Sequence, residues 1–171
     1  CDVTSDTKAY IYPRTFGVSA EETANCVKTV VSAMKTSGIS SCLKHFPGYG
    51  GNLDTHTGIS VDDRPLSEFQ SNDFLPFQAG IEAGADAILV SHNIVNCMDD
   101  TLPASLSPEV HRVLREDLGF TGIILTDDLA MDAISQAADG ESPAVLALRA
   151  GNNLMIVTDF AVAYRDLESA W

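Results

Sequence analysis

Short apolar runs alternate along the chain with longer stretches in which apolar residues recur at helical spacing. Val27, Val30, Val31 and Met34 fall on one helix face, so residues 20–37 are predicted helical, with Gly38 as the stop. Residues 41–46 form a short predicted strand that runs into a loop rich in Gly, Pro and Asp. A second helix is predicted from Leu66 to near Gly84, with Phe69, Leu75, Phe77 and Ile81 on its apolar side. Residues 86–91 (DAILVS) are apolar without alternation, the pattern of a strand buried on both faces of a parallel sheet. The cycle then repeats. Ser107-Pro108 offers an N-cap hydroxyl and a proline at the first helical position, and Gly119 ends that helix. Residues 122–126 (GIILT) read as strand, Ser142-Pro143 opens a helix that stops at Gly151, residues 154–158 (LMIVT) read as strand and 161–170 as helix. Cys1-Asp2-Val3 reads as the end of a further strand. Four βα units after a strand stub predict an α/β domain with a parallel sheet.

Two parallel architectures fit that order, an open doubly wound sheet and a (β/α)8 TIM-type barrel. Gly48-Tyr49-Gly50-Gly51 lacks the glycine spacing of a dinucleotide fingerprint and precedes a loop instead of a helix, which excludes that reading. A complete barrel takes about 250 residues, with about 200 near the floor. The 171 residues present here are read as one partial domain, residues 1–171, equivalent to the C-terminal half of a barrel. At 45% hydrophobic residues the chain can bury a sizeable core. Its 10 Lys and Arg against 24 Asp and Glu give a net charge of −14, which repels phosphate backbones and anionic lipid, so no nucleic-acid partner is expected. No apolar run approaches the ~18 residues of a membrane helix. Cys1, Cys26, Cys42 and Cys97 show no CxxC pairing and read as buried free thiols.

Ligands of parallel α/β folds sit outside the carboxyl ends of the strands. Here those ends carry Lys44-His45, Ser91-His92, Asp127-Asp128 and Thr158-Asp159, with Asp2 and Arg14 after the stub. Asp128 and Asp159 also suit a capping role. In the loop FPGYGGNLDTHTGISV (residues 46–61), Asp54 and His56 are two apart and share a side of an extended segment. A carboxylate bonded to one imidazole nitrogen fixes the tautomer, and the other nitrogen can then exchange a proton near neutral pH. An isolated DxH equally suits a solvated Asx-turn; its company with Lys44-His45 and Asp127 favours chemistry. A carboxylate facing a proton donor across a barrel mouth is the minimum for retaining glycoside hydrolysis. A histidine, with an ordinary pKa of ~6.5, can stand in for the usual acidic carboxyl. A metal-dependent hydrolase built from His45, Asp54, His56, His92 and Asp127 is the competing reading, opposed by the Lys44 charge and by the lack of an HxH pair ending the first strand. Asp62-Asp63 and Asp99-Asp100 read as solvated loop charges or helix starts, Arg115 and Asp117 as an exposed helix face, and Phe160 and Trp171 as packing residues.

The motifs Lys44-His45-Phe46-Pro47-Gly48-Tyr49-Gly50, Asp54-Thr55-His56 and Thr126-Asp127-Asp128-Leu129-Ala130-Met131 resemble glycoside hydrolase family 3, in its β-N-acetylglucosaminidase (β-N-acetylhexosaminidase) branch. Leu106-Ser107-Pro108 and residues 114–120 (LREDLGF) match the same pattern. The resemblance implies Asp127 as a nucleophile that forms a glycosyl-enzyme, His56 as general acid/base and Asp54 as its orienting partner. It implies Arg14, Lys44 and His45 as sugar-binding residues, an N-acetylglucosamine-containing glycoside as substrate, and neither metal nor organic cofactor. Tyr49 stands where the family has histidine, and Gly51-Asn52 where it has Asp-Thr. Two alternatives accompany the resemblance. A phosphorylase would pass the sugar to phosphate, which an uncharged acid/base repels less than a carboxylate does; a barrel fragment would lack catalysis altogether. A half barrel is expected to expose two sheet edges and an apolar inner face, and to pair with a copy of itself or with the N-terminal half of the barrel.

Overall fold

The computed structural model describes residues 1–52 and 58–170, apart from the side chains at 135 and 136. In chain order the strands are β1 (Cys42–Phe46), β2 (Val61–Asp62), β3 (Ala87–Val90), β4 (Ile94–Val95), β5 (Asp99–Pro103), β6 (Ile123–Asp128) and β7 (Leu154–Ile156). The helices are α1 (Ala20–Thr36), α2 (Leu66–Glu68), α3 (Phe74–Glu82), α4 (Pro108–Arg112), α5 (Asp132–Ala137), α6 (Pro143–Ala150) and α7 (Phe160–Ala170). Wider π-type turns, Phe69–Asp73 and Val113–Asp117, join α2 to α3 and extend α4. Strands β1, β3, β6 and β7 form one sheet in that order, all parallel, and the sheet does not close. The expected α/β order is therefore present, as part of a barrel.

Local signals set the helix ends. Ser19 and Glu22 cap α1 reciprocally: the Ser19 hydroxyl accepts from Glu22 N–H and the Glu22 carboxylate from Ser19 N–H. The Ser107 hydroxyl accepts from Val110 N–H at 3.2 Å, and Gly151 ends α6 in the left-handed region. Side-chain alternation then sorts the sheet into two faces. Leu43, Phe46, Ile88, Val90 and Ile124 join a core with Val27, Val31, Phe69, Phe74, Phe77 and Leu114. Phe46 lies edge-on to Phe77 at 5.2 Å and stacked on Phe74 at 5.7 Å, which locks the end of β1. At Gly80 a Cβ would lie 2.6 Å from the Leu43 side chain, so the missing side chain lets α3 press onto β1. On the other sheet face Ile123 and Leu154 stay 49% and 53% exposed, the apolar inner surface that a half barrel leaves open.

Several expectations are corrected. Residues 1–3 form no strand; they run beside β1, where Cys1 N donates to Lys44 O at 2.6 Å, so one of the two expected open edges is partly covered. A small sheet, β2-β4-β5, was not anticipated, because two-residue strands carry no readable alternation. The cysteines are free, but Cys42 is exposed and the other three half-buried. Val30 and Phe160 are exposed, Phe160 meeting Tyr164 at 6.0 Å on a helix with no buried residue. Asp99 heads β5 by accepting Thr101 N–H and Leu102 N–H, both at 3.0 Å. Asp117 is surface-exposed as read, but Arg115 is not a bystander. Its guanidinium donates to Phe120 O, Gly122 O and Asn153 Oδ1, stapling the end of the Val113–Asp117 turn to the start of β6. No described helix is long and apolar enough to cross a membrane.

Candidate active site

The carboxyl ends of the sheet come level at the row Phe46, Val90 and Thr126, which are register partners across β1, β3 and β6. At this level lie Lys44 and His45 on β1, Ser91 and His92 after β3, and Asp127 and Asp128 at the end of β6.

His45 is buried and held from two sides. Its Nδ1–H donates to Asp2 Oδ2 at 2.8 Å, and its backbone N–H also reaches that carboxylate, at 3.3 Å. Tyr49 N–H donates to the other Asp2 oxygen at 2.8 Å. Burial pushes the Asp2 carboxyl up, but the hydrogen bond and charge of His45 outweigh it and hold it below the ordinary carboxylate range. The far nitrogen, Nε2, lies 3.5 Å from Arg14 Nη2. The Tyr49 ring stands edge-on to the imidazole at 5.7 Å. Arg14 ends a short 3-10 turn, Tyr12–Arg14, and is exposed, as is Lys44. Asp2 thus has a role that sequence reasoning missed. Its position at a strand-like end beside Val3 marked it, but its partner lies 43 residues away.

The two aspartates ending β6 differ. Asp127 is half-buried on the sheet face of Ile123 and Leu125, and among the described residues its carboxylate accepts one hydrogen bond, from Asp128 N–H at 3.0 Å. With β3 between them, β1 and β6 are separated by about 10 Å, two strand spacings. Asp128 is consumed by structure: it accepts from Ala130 N–H at 3.0 Å and from the Thr158 hydroxyl at 3.1 Å. Its carbonyl accepts His92 Nε2–H at 3.0 Å, while His92 Nδ1 accepts from the Ser105 hydroxyl at 2.8 Å. Both His92 nitrogens are therefore engaged in supporting the β6 end, which removes His92 as a metal ligand. Among the described residues no three His, Cys, Asp or Glu side chains group as a metal site. Asp159 caps α7 by accepting Val162 N–H at 3.0 Å.

Asp54 and His56, the candidate acid/base pair, lie outside the described residues, as does Trp171. The chain on either side of that pair holds a second finding that sequence reasoning missed. Asp62, read as a solvated loop charge, is buried. Arg64 donates to both Asp62 oxygens, at 2.8 to 3.1 Å, and to Asp73 Oδ2 at 2.8 Å, with its guanidinium 4.3 Å from the Phe69 ring centre. Asn52 Nδ2–H donates to Asp62 Oδ2 at 2.8 Å. Burial raises the Asp62 carboxyl, but the hydrogen bonds and charge of Arg64 win and lower it; at Asp73 burial wins and the carboxyl is raised. One signal was readable: Phe69, Asp73 and Phe77 sit four apart, a carboxylate inside an apolar stripe.

Comparison with known proteins gives one consistent answer. Residues 1–170 match the glycosyl hydrolase family 3 N terminal domain. A β-hexosaminidase of Stenotrophomonas maltophilia is 40% identical over 147 residues, 84% of this chain and 43% of the relative. The chain therefore spans less than half the length of such curated relatives. A family 3 glycosyl hydrolase structure from Mycobacterium smegmatis superposes with a TM-score of 0.88 at 31% identity, covering 99% of this chain and 56% of that one. A family 3 β-N-acetylglucosaminidase from Paenibacillus superposes with a TM-score of 0.89 at 27% identity, covering 98% of this chain and 33% of that one.

Proposed function

The chain belongs to glycosyl hydrolase family 3, and from that premise we propose that it carries the catalytic machinery of a retaining β-N-acetylhexosaminidase acting on terminal N-acetylglucosaminides. The observation that supports this most is the contrast at the sheet mouth: a buried His45 held by Asp2 with Arg14 Nη2 beside its ring, and at the end of β6 the Asp127 carboxylate, which among the described residues accepts one hydrogen bond.

In this reading Arg14 and Lys44 donate to oxygens of the sugar, and His45 Nε2 meets a hydroxyl while Asp2 holds the ring. The Asp127 carboxylate attacks the anomeric carbon as the bond to the leaving oxygen breaks, and His56 gives that oxygen a proton. A glycosyl ester on Asp127 results. Neutral His56 then takes a proton from water, whose oxygen displaces the Asp127 carboxylate and completes hydrolysis with retention. Asp54 orients the imidazole and favours its protonated form. No metal enters the sequence of steps.

The test is turnover of an aryl N-acetylglucosaminide by the protein as it is naturally made. Free N-acetylglucosamine is expected whether or not phosphate is present, unaffected by exhaustive chelation and abolished by Asp127→Ala. A sugar phosphate formed only with phosphate would establish the phosphorylase instead, and the absence of any turnover would leave a binding or scaffold role.

A further inference from the structure

Arg64 with its two aspartates lies beneath the root of the loop that bears Asp54 and His56. Resting on the reading of His56 as acid/base, we propose that Asn52, Asp62, Arg64 and Asp73 form a clasp that positions this loop, Arg64 being its central positioning residue. Three observations carry the proposal. First, the Asn52–Asp62 hydrogen bond, at 2.8 Å, ties together the two described residues that bracket Asp54 and His56 in the sequence, ten residues apart. Second, the chain leading into the loop has no room for side chains against the clasp. A Cβ at Gly50 would lie 2.6 Å from Arg64 Nη2, and one at Gly48 would collide with the Asp73 carboxylate; both glycines have positive φ. Third, the returning limb is fixed to the small sheet: Ser60 O accepts Ile94 N–H at 2.9 Å and Asp62 O accepts Asn96 N–H at 3.0 Å. Burying one cation between two carboxylates is a poor source of stability compared with apolar packing, so a cluster of this kind is better understood as fixing geometry. The guanidinium fork suits that work, because separate N–H groups reach Asp62 and Asp73, each at 2.8 Å, from one rigid group.

A leaving group that departs readily as an anion needs no proton, whereas a poor one does. Asn52→Ala and Arg64→Lys are therefore compared with wild type on a 2,4-dinitrophenyl and on an alkyl N-acetylglucosaminide, using the protein as it is naturally made. The clasp predicts that kcat/KM on the alkyl glycoside falls roughly 10- to 100-fold, inside the 10² to 10⁴ that acid catalysis supplies, while the dinitrophenyl glycoside changes less than about threefold. Asn52→Ala leaves every buried charge paired, so the result does not depend on Arg64→Lys folding. His56→Ala is the reference. If it loses alkyl turnover selectively and both clasp variants hydrolyse the two substrates in the wild-type ratio, the clasp is overturned and the acid/base reading stands. If His56→Ala shows no leaving-group dependence, the acid/base reading and the clasp fall together.

Discussion

The two sides of the sheet mouth are built on opposite principles. On the β1 side, His45 is gripped through ring and backbone by a buried carboxylate that Tyr49 N–H also holds. On the β6 side, Asp127 is half-buried and among the described residues accepts one hydrogen bond, while its neighbour Asp128 takes up the structural bonds. A group that recognises a ground-state sugar benefits from being fixed in advance. A carboxylate that must form a bond to carbon needs a free oxygen. In the proposed function the adjacent aspartates divide those duties, and the sharpest ways to break the contrast are substitutions on either side of it.

The largest effect is expected at Asp127. Asp127→Ala should lower kcat/KM by about 10⁴-fold or more while leaving the thermal midpoint near wild type. Asp128→Ala should do the reverse in kind. Loss of its bonds to Ala130 and Thr158 should cost about 1–3 kcal/mol of stability, read as a lower denaturant midpoint. Comparable losses of turnover with no change in stability for both variants would erase the division of labour.

Next in size is Asp2. Asp2→Ala leaves the His45 Nδ1–H without its acceptor in a buried site, worth about 1.5–3 kcal/mol for a bond to a charged group. That should appear as a KM raised roughly 10- to 100-fold with a smaller change in kcat, measured by steady-state kinetics. A loss confined to kcat would put His45 in the chemical step instead of in binding.

The smallest effect concerns pH. Asp2 and Asp62 are held below the ordinary carboxylate value of about 3.9, so both are ionised in folded and unfolded chains above it and contribute fully there. As pH falls through their lowered folded values, that stabilisation is lost. Asp73, raised by burial, acts in the opposite sense: its contribution is present at low pH and lost as pH rises through its folded value. The midpoint should therefore fall as pH drops from about 4 toward 2, and Asp2→Asn should flatten that slope. A slope unchanged by Asp2→Asn would remove Asp2 from the acid response.

What could be read from the sequence was local. Helix starts at Ser19 and Ser107, the apolar strands before His92 and Asp127, and the collection of polar groups at one end of the sheet all follow from spacing within a few residues. The corrections share a different origin. Asp62 looks like a surface charge until the fold packs it against Arg64, and Arg115 finds acceptors only once Phe120, Gly122 and Asn153 converge. Asp2 meets His45 across the width of a βα unit. Charge type is visible in a sequence, whereas the partner that makes burial of that charge tolerable is set by tertiary contact.

The most direct measurement is to trap the intermediate. A fluorinated N-acetylglucosaminyl fluoride destabilises the oxocarbenium-like transition states, while its good leaving group still lets the first step proceed, so the glycosyl-enzyme accumulates. Proteolysis and mass spectrometry should then find one added sugar on the peptide that carries Asp127, sited on that residue. A sugar on any other carboxylate, or steady turnover of the same reagent with no adduct, would contradict the account.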